Sequence, residues 1–266
     1  MKQKLEIPLV TEKTGLLVIA HADDLALFCG AAVIALVDQG WKLHVIRATD
    51  DRWDSWGLNE EDTIDRNQAE FESALKQFGI ENFYDLQIPT DQLADYSEVT
   101  LRNRIVSLMR EIRPYLVLTF DPDSIKFEDN EDHRLVARAT TEACWTSGFD
   151  KHPDGKVDQL KPHLPIERWY FGRTVVDVTH QLEISPYRER LVNVVAEHRT
   201  MLLNMVSQLE VKAKLLGFQL ERLRSEVERN PRYFAQLIVD KKDVENYRVI
   251  DSKEITEVIE RFGEKL

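Results

Sequence analysis

Short apolar runs alternate with amphipathic segments of ten or more residues four times within the first 150 residues, and no other feature constrains the fold as much. Residues 15–20, 42–49, 83–88 and 115–120 read as strands, rich in β-branched, aromatic and other apolar residues. Residues 25–39, 63–78, 98–112 and 133–147 read as helices, the first three stopped by Gly40, Gly79 and Arg113-Pro114. Strands joined by helical crossovers lie parallel. The expected fold is therefore α/β, a Rossmann-like three-layer sandwich with a mostly parallel sheet.

Beyond residue 150 the rhythm weakens. A loop over 151–165 leads to strands expected near 168–173 and 175–178. From 186 to 229, apolar residues recur at Leu191, Val195, Leu202, Met205, Leu209, Leu216, Leu220, Leu223 and Val227, spacing that suits one long helix or two consecutive ones. The chain divides into a core over 1–185 and a C-terminal helical extension over 186–266, packed on the core or used to form a homo-oligomer.

Charge excludes some partners. Lys and Arg number 35 against 47 Asp and Glu, a net charge of −12, which gives no attraction to nucleic acid or to anionic lipid. The acids are clustered: residues 50–65 hold seven acids and one Arg, net −6, and residues 121–132 hold six acids and one Lys, net −5. The longest near-apolar run, 26–37, is shorter than the roughly 18 residues a membrane span needs. Glu6, Glu12 and Lys13 interrupt any export signal, and Cys29 and Cys144 lie in segments that read as buried helix. A cytoplasmic protein is expected.

The first strand ends in Ala20-His21-Ala22-Asp23-Asp24. In an open parallel sheet the loops at the carboxyl ends of strands form the ligand crevice. His21 and Asp24 can turn toward one cation while Asp23 points at a water beside it; the alternative is an acidic surface turn with an incidental His. The fourth strand ends in a topologically equivalent loop, where His133 can supply a third ligand and Asp132 can orient a neighbour. Two His and one carboxylate leave a position open, as in catalytic zinc sites.

Val18-Ile-Ala-His-Ala-Asp-Asp24 with Gly30, and Asp132-His133, resemble the two signature motifs of the PIG-L/LmbE zinc-dependent de-N-acetylases. Arg66-Asn-Gln-Ala-Glu70, Phe78-Gly79, Pro89-Thr-Asp91 and Arg113-Pro114 fall between them in that family's order, and the likeness runs from about Gly15 to His198. The resemblance implies hydrolysis of an N-acetyl amide on an amino sugar or its conjugate, with zinc, or alternatively Fe2+, as cofactor. It implies His21, Asp24 and His133 as ligands and Asp23 as general base. It further places Arg66 and Asp91 at the substrate and His198 at a family motif in the late helix; on residue type alone, Arg66 could equally pair with Glu70.

Three positions depart from the family. Ala22 stands where Pro is usual, Leu25 where Glu is common, and Asn130 where a His commonly stabilises the oxyanion or protonates the leaving amine. An amide donates a hydrogen bond but no proton, so Asn130 implies that Asp23 shuttles the proton both ways, that another His helps, or that turnover is slow. Two alternatives follow: a catalytically weakened binding or scaffold protein, and a metal-dependent hydrolase of another amide or a phosphoester. Among the remaining groups, Trp53 and Trp56 beside Arg52 could stack on a sugar, His44 reads as structural, and His152, His163 and His180 carry weak signals.

Overall fold

The chain enters as a short edge strand, β1 (Gln3–Lys4), then runs through the middle of the molecule as β2 (Thr14–Ile19). Helices α1 (Asp24–Phe28) and α2 (Gly30–Asp38) lead to β3 (Lys42–Thr49), and α3 (Glu60–Phe78) leads to β4 (Asn82–Ile88). Next come α4 (Glu98–Ile112), β5 (Leu116–Phe120), α5 (Glu131–Thr146), β6 (Glu167–Phe171) and β7 (His180–Glu183). Helices α6 (Arg188–Glu197), α7 (Arg199–Leu215), α8 (Glu221–Arg229) and α9 (Pro231–Val239) precede a last strand, β8 (Val244–Asp251). The structure is a computed structural model and describes residues 2–151, 160–251 and 259–264.

The strands form one sheet in the order β1-β7-β8-β6-β5-β2-β3-β4, with every pairing parallel except the two made by β8. Helices α4 and α5 pack together as one layer and α2, α3, α6 and α9 as the other, which makes the expected three-layer α/β sandwich. β2 lies between β3 and β5, so successive connections leave its two sides in opposite directions and open a crevice at its carboxyl end. The core strands are buried on both faces: Leu16 to Ala20 have no exposed surface.

Four differences from the sequence reading have physical causes. The helix expected over 25–39 breaks at Cys29, because Glu245 of β8 takes the N–H groups of Ala31 and Ala32 at 2.8 and 3.0 Å and caps a new helix there. Gly30 leaves room at the break for the tip of the Leu191 side chain of α6, which a Cβ would displace. Helix α3 starts three residues early because the Asn59 side chain accepts the Asp62 N–H at 2.9 Å. Residues 175–178 form a turn instead of a strand, held by the Val176 N–H on Asp121 Oδ2 at 2.7 Å.

The fourth difference concerns the C-terminal region. Residues 186–229 form three helices, broken at His198 (ψ 57°) and near Gly217 (φ 79°). The segment 186–266, read as a helical extension, also returns β8 to the sheet between β6 and β7. Cys29 and Cys144 are both buried and unpaired, and burial pushes the Cys144 thiol up to about 12. Among the described residues no helix is long and apolar enough to cross a membrane.

Candidate metal centre

β2 delivers Ala20 to the carboxyl edge of the sheet, and the chain turns at once. The Ala20 and His21 N–H groups donate to Asp24 Oδ2 at 3.0 and 2.7 Å, which leaves Oδ1 3.2 Å from His133 Nε2. His133 is the third residue of α5, whose N-terminus is capped by Asn130: its Oδ1 accepts from the Asp132 and His133 N–H groups at 2.9 and 3.3 Å. His21 Nδ1 lies 3.1 Å from His133 Nε2. One ligand atom from each of His21, Asp24 and His133 falls within 4.8 Å of the others, and all three residues are buried.

The outer ring nitrogens show how this cluster is set. His21 Nε2 is 3.4 Å from Asp132 Oδ2, and His133 Nδ1 is 3.3 Å from Glu128 Oε2. A carboxylate there favours the proton on each outer nitrogen, so the lone pairs of the two inner nitrogens converge beside Asp24 Oδ1. That donor set suits a divalent cation such as zinc. Burial opposes charge on both rings, yet Asp132 and Asp24 hold His21 well above its ordinary value, and Asp24 and Glu128 raise His133. Burial also acts on Asp24, but His133 and His21 outweigh it and hold the carboxyl well below the usual carboxylate range.

A cavity of about 370 Å³ opens over the cluster. Asp23, Asp54 and Asp91 line it with carboxyls; Leu27, Trp53, Met201 and Met205 supply apolar walls, and Arg173 a cation. Burial, then the neighbouring Asp54 and Asp24, push the Asp23 carboxyl well above its usual range against the pull of His21. Asp91 (φ 59°) lines the cavity and donates its N–H to Asp132 Oδ2 at 2.7 Å. Asn130 also lines the cavity; since capping occupies its Oδ1, the amide NH2 is the group left for a ligand.

Arg66 does not reach this cavity. It is exposed on α3, and Glu70, its expected i+4 partner, accepts instead from the Thr200 N–H and hydroxyl at 2.8 Å. The neighbouring Asn67 is the buried residue, donating to the carbonyls of Asp51 and Asp54 at 3.1 Å. His198 is buried, and burial pushes it down to about 4. Trp53 lines the cavity with its indole N–H on Glu60, whereas Arg52 pairs with Asp50 and Trp56 is exposed. His44 stacks on Tyr84, His163 meets the Pro114 carbonyl, His180 lies beside Thr179, and His152 lies outside the described residues.

Sequence reasoning missed Glu128, Asp54, Arg173, Met201 and Met205. Glu128 was hidden in an acidic run. The i,i+4 spacing of Met201 and Met205 marks one helix face but not what that face meets. Many of the clustered acids are committed to structure: Asp50 to Arg52, Asp51 to Arg47, Asp121 to Arg248, and Glu128 and Asp132 to the two histidines.

Residues 16–144, which contain all three clustered ligands, match the family described as GlcNAc-PI de-N-acetylase, PIG-L. A 1D-myo-inositol 2-acetamido-2-deoxy-alpha-D-glucopyranoside deacetylase of Rhodococcus jostii is 28% identical over 170 residues, which are 54% of this chain and 58% of that protein. The match thus spans little more than half of either protein. The N,N'-diacetylchitobiose deacetylase from Pyrococcus horikoshii superposes with a TM-score of 0.69 at 17% identity, over 90% of this chain and 84% of that one. The 4-carboxy-2-hydroxymuconate hydratase from Pseudomonas putida superposes at 0.56 with 19% identity, over 76% and 88%. At such identities the structures share the fold, and the names of these neighbours differ in reaction, so the fold by itself does not assign one.

Proposed function

We propose that this chain is a zinc-dependent hydrolase that removes the N-acetyl group from an amino sugar or an amino-sugar conjugate. The observation that carries the reading is the convergence of His21, Asp24 and His133 under a cavity that Asp23 also lines. The family match and the deacetylase names of the relatives supply the reaction class. When bound, a divalent cation supplies Lewis-acid polarisation of the amide carbonyl and makes water more acidic.

The side chains do the rest. Asp23 takes a proton from the attacking water, the water oxygen bonds to the acetyl carbon, and the Asn130 NH2 donates to the developing oxyanion. The C–N bond then breaks. Asp23 returns its proton to the nitrogen, because Asn130 has none to give, and acetate and the free amine leave. Asp91 contacts the sugar, and the apolar wall of Trp53, Met201 and Met205 takes the less polar face of the substrate.

Acetate release from a panel of N-acetylated amino sugars and their glycosides, with and without zinc or iron in the metal-stripped protein, tests the reading. Zinc-restored turnover is expected. Asn130 favours a second reading, a binding protein that keeps the metal without turnover; zinc binding with ligand binding but no acetate from any panel member would establish it.

A further inference from the structure

The turn that carries His21 and Asp24 is held from outside by a residue with no place in the proposed reaction. Asp51 follows β3, is 1% exposed, and has φ 56°, a left-handed backbone that costs a non-glycine residue energy unless its surroundings fix it. Its surroundings do. Asp51 Oδ2 accepts the Ala22 N–H at 3.0 Å and the Arg47 guanidinium at 3.2 Å, and its carbonyl accepts from the Asn67 side chain and the Asp54 N–H, both at 3.1 Å. Arg47, equally buried, is fixed in turn by Asp85 at 2.5 Å, by Gln68, and by the Phe71 ring 5.0 Å away.

We propose that Asp51 is a positioning residue for the metal-ligand turn, acting through the N–H of Ala22. Proline at position 22, usual in the resembling family, has no N–H and a fixed φ, so its ring stiffens the turn without an acceptor. Alanine frees φ and adds a buried N–H that must be satisfied. Asp51 satisfies it and restores the stiffness between the two ligands. The inference rests on the metal reading of His21, Asp24 and His133.

The test is zinc affinity, measured by chelator competition on metal-stripped protein, for Asp51→Gly, Asp51→Asn, Ala22→Pro and the double variant Ala22→Pro/Asp51→Gly, with thermal unfolding of each. Glycine suits the positive φ, so Asp51→Gly removes the carboxylate without straining the backbone. Asp51→Gly is expected to weaken zinc by roughly 10- to 100-fold, the usual cost of losing a support for a ligand shell. Asp51→Asn, which keeps an acceptor, should stay within about threefold of the parent. The double variant should recover to a similar level, because a proline there has no N–H left to satisfy. A general loss of stability would not be rescued this way. Parent-like zinc binding by Asp51→Gly, or a double variant as weak as Asp51→Gly, overturns the proposal. A parent that holds zinc but releases no acetate breaks only the hydrolase reading; a parent that holds no zinc overturns both.

Discussion

The clustered side chains all come from the first half of the chain, whereas part of the wall around them comes from its last third. His21, Asp23, Asp24 and His133 stand at the carboxyl ends of adjacent parallel strands, each placed by its own turn or helix cap. Among the described residues, those after 185 contribute no cluster ligand, yet α7 brings Met201, Met205 and Gln208 to the cavity and anchors Asp54 through Asn204 at 2.7 Å. β8 caps α2 through Glu245 and clamps Asp121 and Asp123 with Arg248. Reactive groups need close placement and sit on short, locally determined turns; walls and braces need only surface, and distant segments can provide it.

If that division is right, early substitutions remove turnover and late ones shift stability or KM. The largest effects belong to the cluster. His133→Ala should lose both zinc, by elemental analysis, and activity, whereas Asp23→Asn should keep zinc and lose roughly 10²- to 10⁴-fold in kcat. Deacetylation by Asp23→Asn at the parent rate would falsify the base assignment.

Next in size is a pH effect from His198. The buried ring is neutral when folded, held down to about 4 against 6.5 ordinarily, so between these values the unfolded chain binds the extra proton. Stability therefore falls as pH drops through this window, by about 3 kcal/mol in all. The stability gap between the parent and His198→Asn in denaturant melts should be constant above about pH 6.5 and move against the parent by about 3 kcal/mol as pH falls to about 4; a gap that does not change with pH would contradict the buried neutral state.

Glu245→Ala should come third. It leaves the Ala31 and Ala32 N–H groups without their acceptor and should cost about 2 kcal/mol in urea unfolding. Met205→Ser is the smallest and the most pointed: KM for an aryl glycoside of the substrate sugar should rise about fivefold at constant kcat. A fall in kcat at constant KM would place α7 in the chemistry and erase the contrast between the two regions.

Much of this was legible in advance. Strand and helix periodicity yielded the sandwich, because a pattern of two or of 3.6 residues is set by which faces are buried. His21, Asp24 and His133 could be named because the turns that carry them leave adjacent strand ends. Arg66 could not be told from Asn67 by sequence, since a rotation of about 100° per residue decides which one faces the core. The break at Cys29 was equally hidden. An apolar helical run gives no sign that a glutamate more than 200 residues later will take its N–H groups.

The amino-acid sequence by itself determined the parallel α/β sheet, the turn after its central strand and the ligand types available there, all consequences of local pattern and chain connectivity. Tertiary structure alone decided which carboxylates orient the histidines, which acids stay free in the cavity, and that α7 walls it. Those outcomes depend on side chains from distant segments competing for the same donors, and no local pattern records that competition.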